Sequence, residues 1–212
     1  MRGVFITLEG VEGSGKSTHT RLLTDWLRAR GRRVVPTSEP DGTGLGSAIR
    51  ALFEHDGPAP TALAQTFLFM AARQQHVAHV IRPALAEGAV VISDRYADAT
   101  LAYQGFGGGM DVETIRDLNA LATGGVMPDL TLLLDLDPAE GMRRISDRTL
   151  DAFEKMDLAF HRRVREGYLE IARAEKSRVV VLDAAQPKNT LHAASVRAVQ
   201  ELLERREAPR GA

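Results

Sequence analysis

The stretch Gly10-Val11-Glu12-Gly13-Ser14-Gly15-Lys16-Ser17-Thr18, directly behind the apolar run Val4-Phe5-Ile6-Thr7-Leu8, restricts this chain more than any other feature. It fits Gly-x-x-x-x-Gly-Lys-Ser/Thr, in which successive backbone N–H groups cradle phosphate oxygens, the lysine meets the β/γ charge and the hydroxyl of Ser17 holds magnesium. A glycine-rich turn with a chance lysine is the bland alternative, and the context opposes it. An apolar strand pattern enters the loop, and an amphipathic pattern with Leu22, Leu23, Trp26 and Leu27 leaves it, so a helix N-terminus points its positive end at the phosphates. Residues 10–18 read as a nucleoside triphosphate site.

At 212 residues the chain suits one α/β domain, expected over 1–207 with a disordered tail at 208–212, and has no run apolar enough to span a membrane. The start, Met-Arg-Gly followed by a short apolar run, leads into the phosphate loop, so no targeting segment is expected. The absence of cysteine removes disulfides and thiolate metal sites and fits a cytoplasmic protein. With 27 basic against 28 acidic residues, a large nucleic-acid-binding face is not expected.

Arg33 to Thr37 reads as a second strand and Ser38 to Gly44 as the loop at its end. A short helix with Ile49, Arg50, Leu52 and Phe53 follows, then a turn over Asp56 to Pro60. Thr61 caps one long helix reaching about Glu87, bent or adjusted near Pro83. Ala89 to Ser93 is an uninterrupted apolar strand, buried on both faces in a parallel sheet, and Asp94 ends it. A short helix over Tyr96 to Gln104 and a loop at Gly105 to Gly109 precede a helix capped by Asp111. A fourth strand at Leu130 to Asp135, a helix from Pro138, a charged loop between Asp147 and Glu154, a helix from about Lys155 to Glu175, a strand at Arg178 to Leu182 and a last helix from Pro187 to Arg206 complete the order. This alternation predicts a doubly wound, five-stranded parallel sheet with helices on both faces, and ligands at the carboxyl ends of its strands.

Phosphoryl transfer needs in-line positioning, charge neutralisation and exclusion of water. Asp94, ending an apolar strand as in a Walker B pattern, would hold magnesium, although a capping aspartate is an alternative. Arg95 beside it offers planar, bidentate donors to phosphate. Arg50 and Arg73, taken alone, read as solvated helix faces.

Together the residues resemble the thymidylate kinases, P-loop kinases of nucleoside monophosphates. The resemblance spans nearly the whole chain and rests on the phosphate loop with Glu12 in its middle, Glu39-Pro40-x-Gly42-Thr43, Phe69-x-x-x-Arg73, Asp94-Arg95-Tyr96, Ala102-Tyr103-Gln104-Gly105, Pro128-Asp129-Leu130-Thr131 and Phe160-His161-Arg162-x-Val164-x-x-x-Tyr168. It implies transfer of the γ-phosphoryl of ATP to thymidine 5′-monophosphate with Mg2+. Gly10, Glu12, Gly13, Ser14, Gly15, Lys16, Ser17, Thr18 and Arg144 would bind ATP, and Ser17 and Asp94 the metal. Phe69 would stack on the pyrimidine, while Arg73, Thr100 and Gln104 read its edge. Tyr103 would lie against the sugar, Glu12 would approach the 3′-hydroxyl or the metal, and Arg50 and Arg95 would hold the acceptor phosphate, with Glu39 also in that site. Phe67 and Met70 are left as core. A homodimer through the long helices is implied.

Two departures qualify the resemblance. The family places a catalytic arginine either in the phosphate loop or in the lid, here about 143–154; Gly13 rules out the first, and the lid reads Leu150-Asp151-Ala152-Phe153-Glu154 where Leu-Asp-Arg-x-Glu is common. Arg148, assisted by Arg144, is expected to take over, with Lys16, Asp94 and Arg95 as the other catalytic residues. Ser38 and Asp41 also replace an arginine and a glycine. A kinase of deoxynucleosides or of another pyrimidine monophosphate, and a catalytically impaired nucleotide-binding protein, remain alternatives.

Overall fold

The computed structural model describes residues 3–53, 60–147 and 153–207. Within them β1 (Val4–Glu9), β2 (Val34–Ser38), β3 (Val90–Asp94), β4 (Leu130–Asp135) and β5 (Val179–Asp183) form one parallel sheet in the order β2-β3-β1-β4-β5. Parallel neighbours need crossovers, and helices supply them. α1 (Lys16–Arg28) joins β1 to β2; α2 (Gly44–Ala51), α3 (Ala62–His76) and α4 (Arg82–Ala86) lie between β2 and β3; α5 (Ala97–Thr100) and α6 (Val112–Thr123) lie between β3 and β4. α7 (Pro138–Arg144) and α8 (Leu158–Ala174) precede β5, and α9 (Lys188–Glu207) follows it.

The period of two along a strand sorts β1 between two cores. Val4, Ile6 and Leu8 pack with Leu23 and Leu27 of α1 and Val199 and Leu202 of α9. Phe5 turns the other way, into Val77, Ile81, Leu85 and the edge of the Tyr96 ring. All of β3 is buried, as its apolar run predicts. Among the described residues, no helix is long and apolar enough to cross a membrane.

The structure corrects several sequence expectations. The long helix is continuous from α3 to α4, and the adjustment expected near Pro83 takes the form of a wide π turn over Val77–Ile81, ending two residues before that proline. A proline ring crowds the carbonyl four residues back, and widening the preceding turn relieves it. Phe67 is 54% exposed rather than core. On α3 the buried stripe runs through Thr66, Met70 and Arg73, which leaves Leu63 and Phe67, four apart, on the outer face. The loop expected at Gly105 is instead part of a π-type segment, Leu101–Gly107, that continues α5. The glycines there allow close helix approach rather than a turn. A Cβ on Gly107 would lie 2.7 Å from Val164 of α8, and one on Gly167 would meet the Phe106 ring at 2.6 Å.

Arg148, the lid stretch from Leu150 to Ala152, the turn at 56–59 and the tail at 208–212 lie outside the described residues.

Candidate active site

β1 sits between β3 and β4, so the loop that leaves it opens where the chain's crossovers part to opposite sides, the crevice in which such sheets bind ligands. Gly15, with φ 93°, caps α1, and the Lys16 ammonium donates to the carbonyls of Gly10 and Val11, both at 2.9 Å. Burial lowers the pKa of Lys16, Arg95 lowers it further, and Glu12, Asp94 and Glu9 oppose them. The parallel register sets Leu8 opposite Asp94, which brings the last residue of β3 level with the loop. Ser17 Oγ donates to Asp94 Oδ2 at 2.6 Å. Asp94 Oδ1 is buried and accepts no hydrogen bond, with Arg95 Nη1 3.5 Å away. A cavity lined by Gly13, Lys16, Ser17, Thr18, Arg50 and Arg144 opens beside Ser17.

Gly13 is a glycine because α7 lies on it. Its φ is +70°, and a Cβ there would stand 2.2 Å from the carbonyl oxygen of Gly141. An arginine at this position would have to displace α7. Arg144, on the same helix, donates to the Ala184 carbonyl at 3.1 Å and to Gly13 O at 3.5 Å, and it lines the cavity beside the loop.

A second cavity adjoins the first, lined by Glu39, Phe69, Arg73, Thr100, Gln104 and Phe153, and Glu12 and Arg95 border both. Glu12 accepts from Arg95 Nη2 at 2.6 and 2.8 Å and from the Tyr103 hydroxyl at 2.7 Å. Burial opposes ionisation of Glu12, but Arg95, Lys16 and the Tyr103 hydrogen bond outweigh it and hold its pKa well below the ordinary carboxylate range. Burial and the Glu12 charge push the Tyr103 phenol upward, so it stays a donor. Phe69 stacks on Phe53 with ring centroids 5.2 Å apart, and Phe153 of the lid tilts against both.

Arg73 is not the solvated residue its sequence position read as when taken alone. It is 2% exposed, and all five of its N–H donors face acceptors. Nε and Nη2 hold Glu39 Oε2 at 2.9 and 2.7 Å, Nη1 donates to Thr100 Oγ1 and Asn119 Oδ1, and Nη2 also donates to the Tyr96 carbonyl. Gln104 Nε2 reaches Gln65 Oε1 at 3.4 Å.

A triphosphate loop whose middle carboxylate also borders a second, aromatic and arginine-lined cavity is the arrangement of a kinase with a nucleotide acceptor, and comparison with known proteins decides which. The family model described as Thymidylate kinase matches residues 8–194. The chain belongs to the thymidylate kinase family. It is 46% identical over 212 residues to the thymidylate kinase of Desulfovibrio desulfuricans, covering 96% of this chain and 98% of that one. It is 47% identical to that of Deinococcus radiodurans over 201 residues, with 94% and 98% covered. The crystal structure of thymidylate kinase from Ehrlichia chaffeensis superposes with a TM-score of 0.77 at 32% identity, covering 94% of this chain and 99% of that one.

Of the residues expected from the thymidylate kinase resemblance, the structure groups Lys16, Ser17 and Arg144 around one cavity, with Asp94 hydrogen-bonded to Ser17 behind it, and Phe69, Arg73, Thr100, Tyr103 and Gln104 around the other. Arg50 reaches the phosphate cavity, with its Nε 3.2 Å from Asp41. Glu39 lines the second cavity, but its oxygens hold Arg73 and His76. Sequence reading missed Asn119 and His76. Asn119 bridges Arg73 and the Ala97 carbonyl, and His76 bridges Glu39 and Thr37. His76 stands one helical turn after Arg73, a spacing that could have flagged it; Asn119 lies in no motif.

Proposed function

We propose a division of labour between the two cavities for the family's reaction. That reaction, transfer of the γ-phosphoryl of ATP to thymidine 5′-monophosphate giving the diphosphate and ADP, is the activity of this chain, an ATP-dependent nucleoside monophosphate kinase. The observation that carries the residue assignment is Glu12, an ionised carboxylate on the phosphate loop that holds Arg95 and Tyr103 at the boundary of both cavities.

In this reading the loop amides of Gly10 to Thr18 and Lys16 cradle the ATP phosphates, and Arg144 and Arg148 add positive charge from the lid side. Arg95 and Arg50 hold the acceptor phosphate in line. Phe69 stacks on the base, and Arg73, Thr100 and Gln104 meet its polar edge. Because every donor of Arg73 already has a partner, a base carbonyl must share a hydrogen with Thr100 or Asn119. Such a site rejects bases that cannot repay that exchange. Tyr103 packs on the sugar and disfavours a 2′-hydroxyl, and Glu12 accepts from the 3′-hydroxyl.

The residues fit magnesium. A serine hydroxyl beside an aspartate whose other oxygen is buried without a hydrogen bond is a hard oxygen donor set. Ser17 and Asp94 would hold the ion, which neutralises phosphate charge when bound. Exposed Leu63 and Phe67 on α3 support a homodimer through the long helices. We also place the protein in the cytoplasm and assign 1–207 to one catalytic unit.

An acceptor panel with ATP tests the reading. Thymidine 5′-monophosphate should be phosphorylated with kcat/KM at least about 100-fold above uridine or cytidine monophosphate, the discrimination a buried hydrogen-bonding site supplies. Equal rates on all three would refute the assigned base contacts, and ADP release without acceptor would point to an ATPase.

A further inference from the structure

Glu9, the last residue of β1, is fully buried beside the phosphate loop yet touches neither cavity. Its Oε1 accepts the backbone N–H of Tyr96 at 2.7 Å, and its Oε2 bonds the Tyr168 hydroxyl at 2.8 Å. Between β3 and Tyr96 stands Arg95 at φ +69°, the one non-glycine residue with positive φ among those described. L-residues resist that conformation, so it persists only where neighbours over-determine it.

Three contacts do so here. Arg95 N–H donates to Leu8 O at 3.0 Å, Ser93 Oγ donates to Arg95 O at 2.7 Å, and Glu9 takes the next N–H along. Two consecutive residues of β1 thus clasp two consecutive amides of the turn. The left-handed twist swings the Arg95 side chain back over the loop onto Glu12 instead of onward along the strand. Through Tyr168 the same carboxyl is tied to α8, the helix that follows the lid. Burial, with Asp98 nearby, pushes the Glu9 carboxyl up to about 8, so near neutrality it is a neutral acid for which glutamine is an isostere.

The geometry points to Glu9 as a positioning residue that locks the Arg95–Tyr96 turn in its left-handed form, aims the Arg95 guanidinium at the acceptor phosphate, and couples that aim to α8. The inference rests on the assignment of Arg95 to the acceptor phosphate.

A double-mutant cycle tests it, with Glu9→Ala, Glu9→Gln and Arg95→Ala measured singly and Glu9→Ala combined with Arg95→Ala. Glu9→Ala should lower kcat/KM for thymidine 5′-monophosphate by roughly ten- to a hundredfold, the scale of a buried donor left unpaired, while KM for ATP moves less than about threefold. Glu9→Gln should keep activity within about threefold, since its carbonyl still accepts the Tyr96 N–H and its amide can donate to the Tyr168 oxygen. In the Arg95→Ala background, Glu9→Ala should cost little more, because residues acting through one contact are non-additive. Additive losses, or a Glu9→Ala enzyme with unchanged kinetics beside a crippled Arg95→Ala, would overturn the inference and leave the Arg95 assignment standing. An Arg95→Ala enzyme of full activity would instead sink that assignment. If Glu9→Ala fails to fold, Tyr168→Phe, which removes one hydroxyl, replaces it in the same cycle. A selective loss for the acceptor supports the coupling to α8, and no change refutes it.

Discussion

Replacing Arg73 by Met probes whether the floor of the second cavity is one charge-balanced unit. Arg73 and Glu39 are 2% and 6% exposed at the side chain, so the pair lies outside the reach of solvent screening. Methionine keeps the length of the stem but leaves the Glu39 carboxylate with His76 as its remaining side-chain partner. It also strips Thr100, Asn119 and the Tyr96 carbonyl of a donor. Breaking one side of a buried ion pair costs about 3 to 5 kcal/mol. For a chain of this size each kcal/mol moves Tm by roughly 2 to 4 °C, so the melting point should fall by about 6 to 20 °C. Adding Glu39→Gln to Arg73→Met removes the stranded charge and should recover at least about half of that loss, while Glu39→Gln alone should be destabilising. Differential scanning calorimetry of the four proteins reads the cycle. A drop below about 3 °C for Arg73→Met, or no recovery in the double variant, refutes the reasoning, because either result means the carboxylate does not depend on the guanidinium.

Arg148→Ala should lower kcat more than about tenfold and Arg144→Ala by a smaller factor in steady-state assays, and a loss under about threefold at Arg148 would remove it from the transition state. Stability should bend with pH in two directions. Glu9, raised from 4.5 to about 8 by burial and Asp98 against the opposing pull of Tyr168, the Tyr96 N–H and Arg95, stabilises the fold fully below about pH 4.5, and that contribution is lost as pH rises through about 8. Glu12, depressed by Arg95 and Lys16 against the burial that opposes them, contributes stability that is present above 4.5 and lost as pH falls below it. Glu9→Gln should therefore flatten the decline in Tm between about pH 5 and 8, and melting curves parallel to those of the parent would contradict the assignment. Phe67→Asp should convert the proposed homodimer to a monomer in sedimentation equilibrium, and an unchanged mass would refute an interface at Phe67.

Much of the fold was legible because its signals are local. The apolar runs at Val4, Val90 and Leu130 could only be strands buried on both faces, and Gly10 to Thr18 carry a backbone geometry that few sequences other than a glycine-rich loop can adopt. Caps declared themselves in the same way: Thr61 and Asp111 each accept a backbone N–H three residues on. Where sequence reading failed, the deciding partner lay far away along the chain. Gly105 and Gly107 read as a loop, since glycine usually breaks a helix, but α8 packs against them and rewards the missing side chains. Phe67 read as core because hydrophobicity is visible in sequence and the face it points to is not.

The phosphate loop and the alternation of strands with helices into one parallel sheet were thus legible in residue type and spacing alone. Tertiary structure decided what those residues do to one another: that Arg73 is buried with every donor engaged, that Gly13 is glycine because Gly141 lies against it, and that Glu9 holds the turn beneath Arg95. The physical reason is range. A turn, a cap or a phosphate cradle is built from neighbours in sequence, whereas burial, charge pairing and pKa depend on groups such as Glu39, Asn119 and Tyr168 that only the folded sheet brings within hydrogen-bond distance.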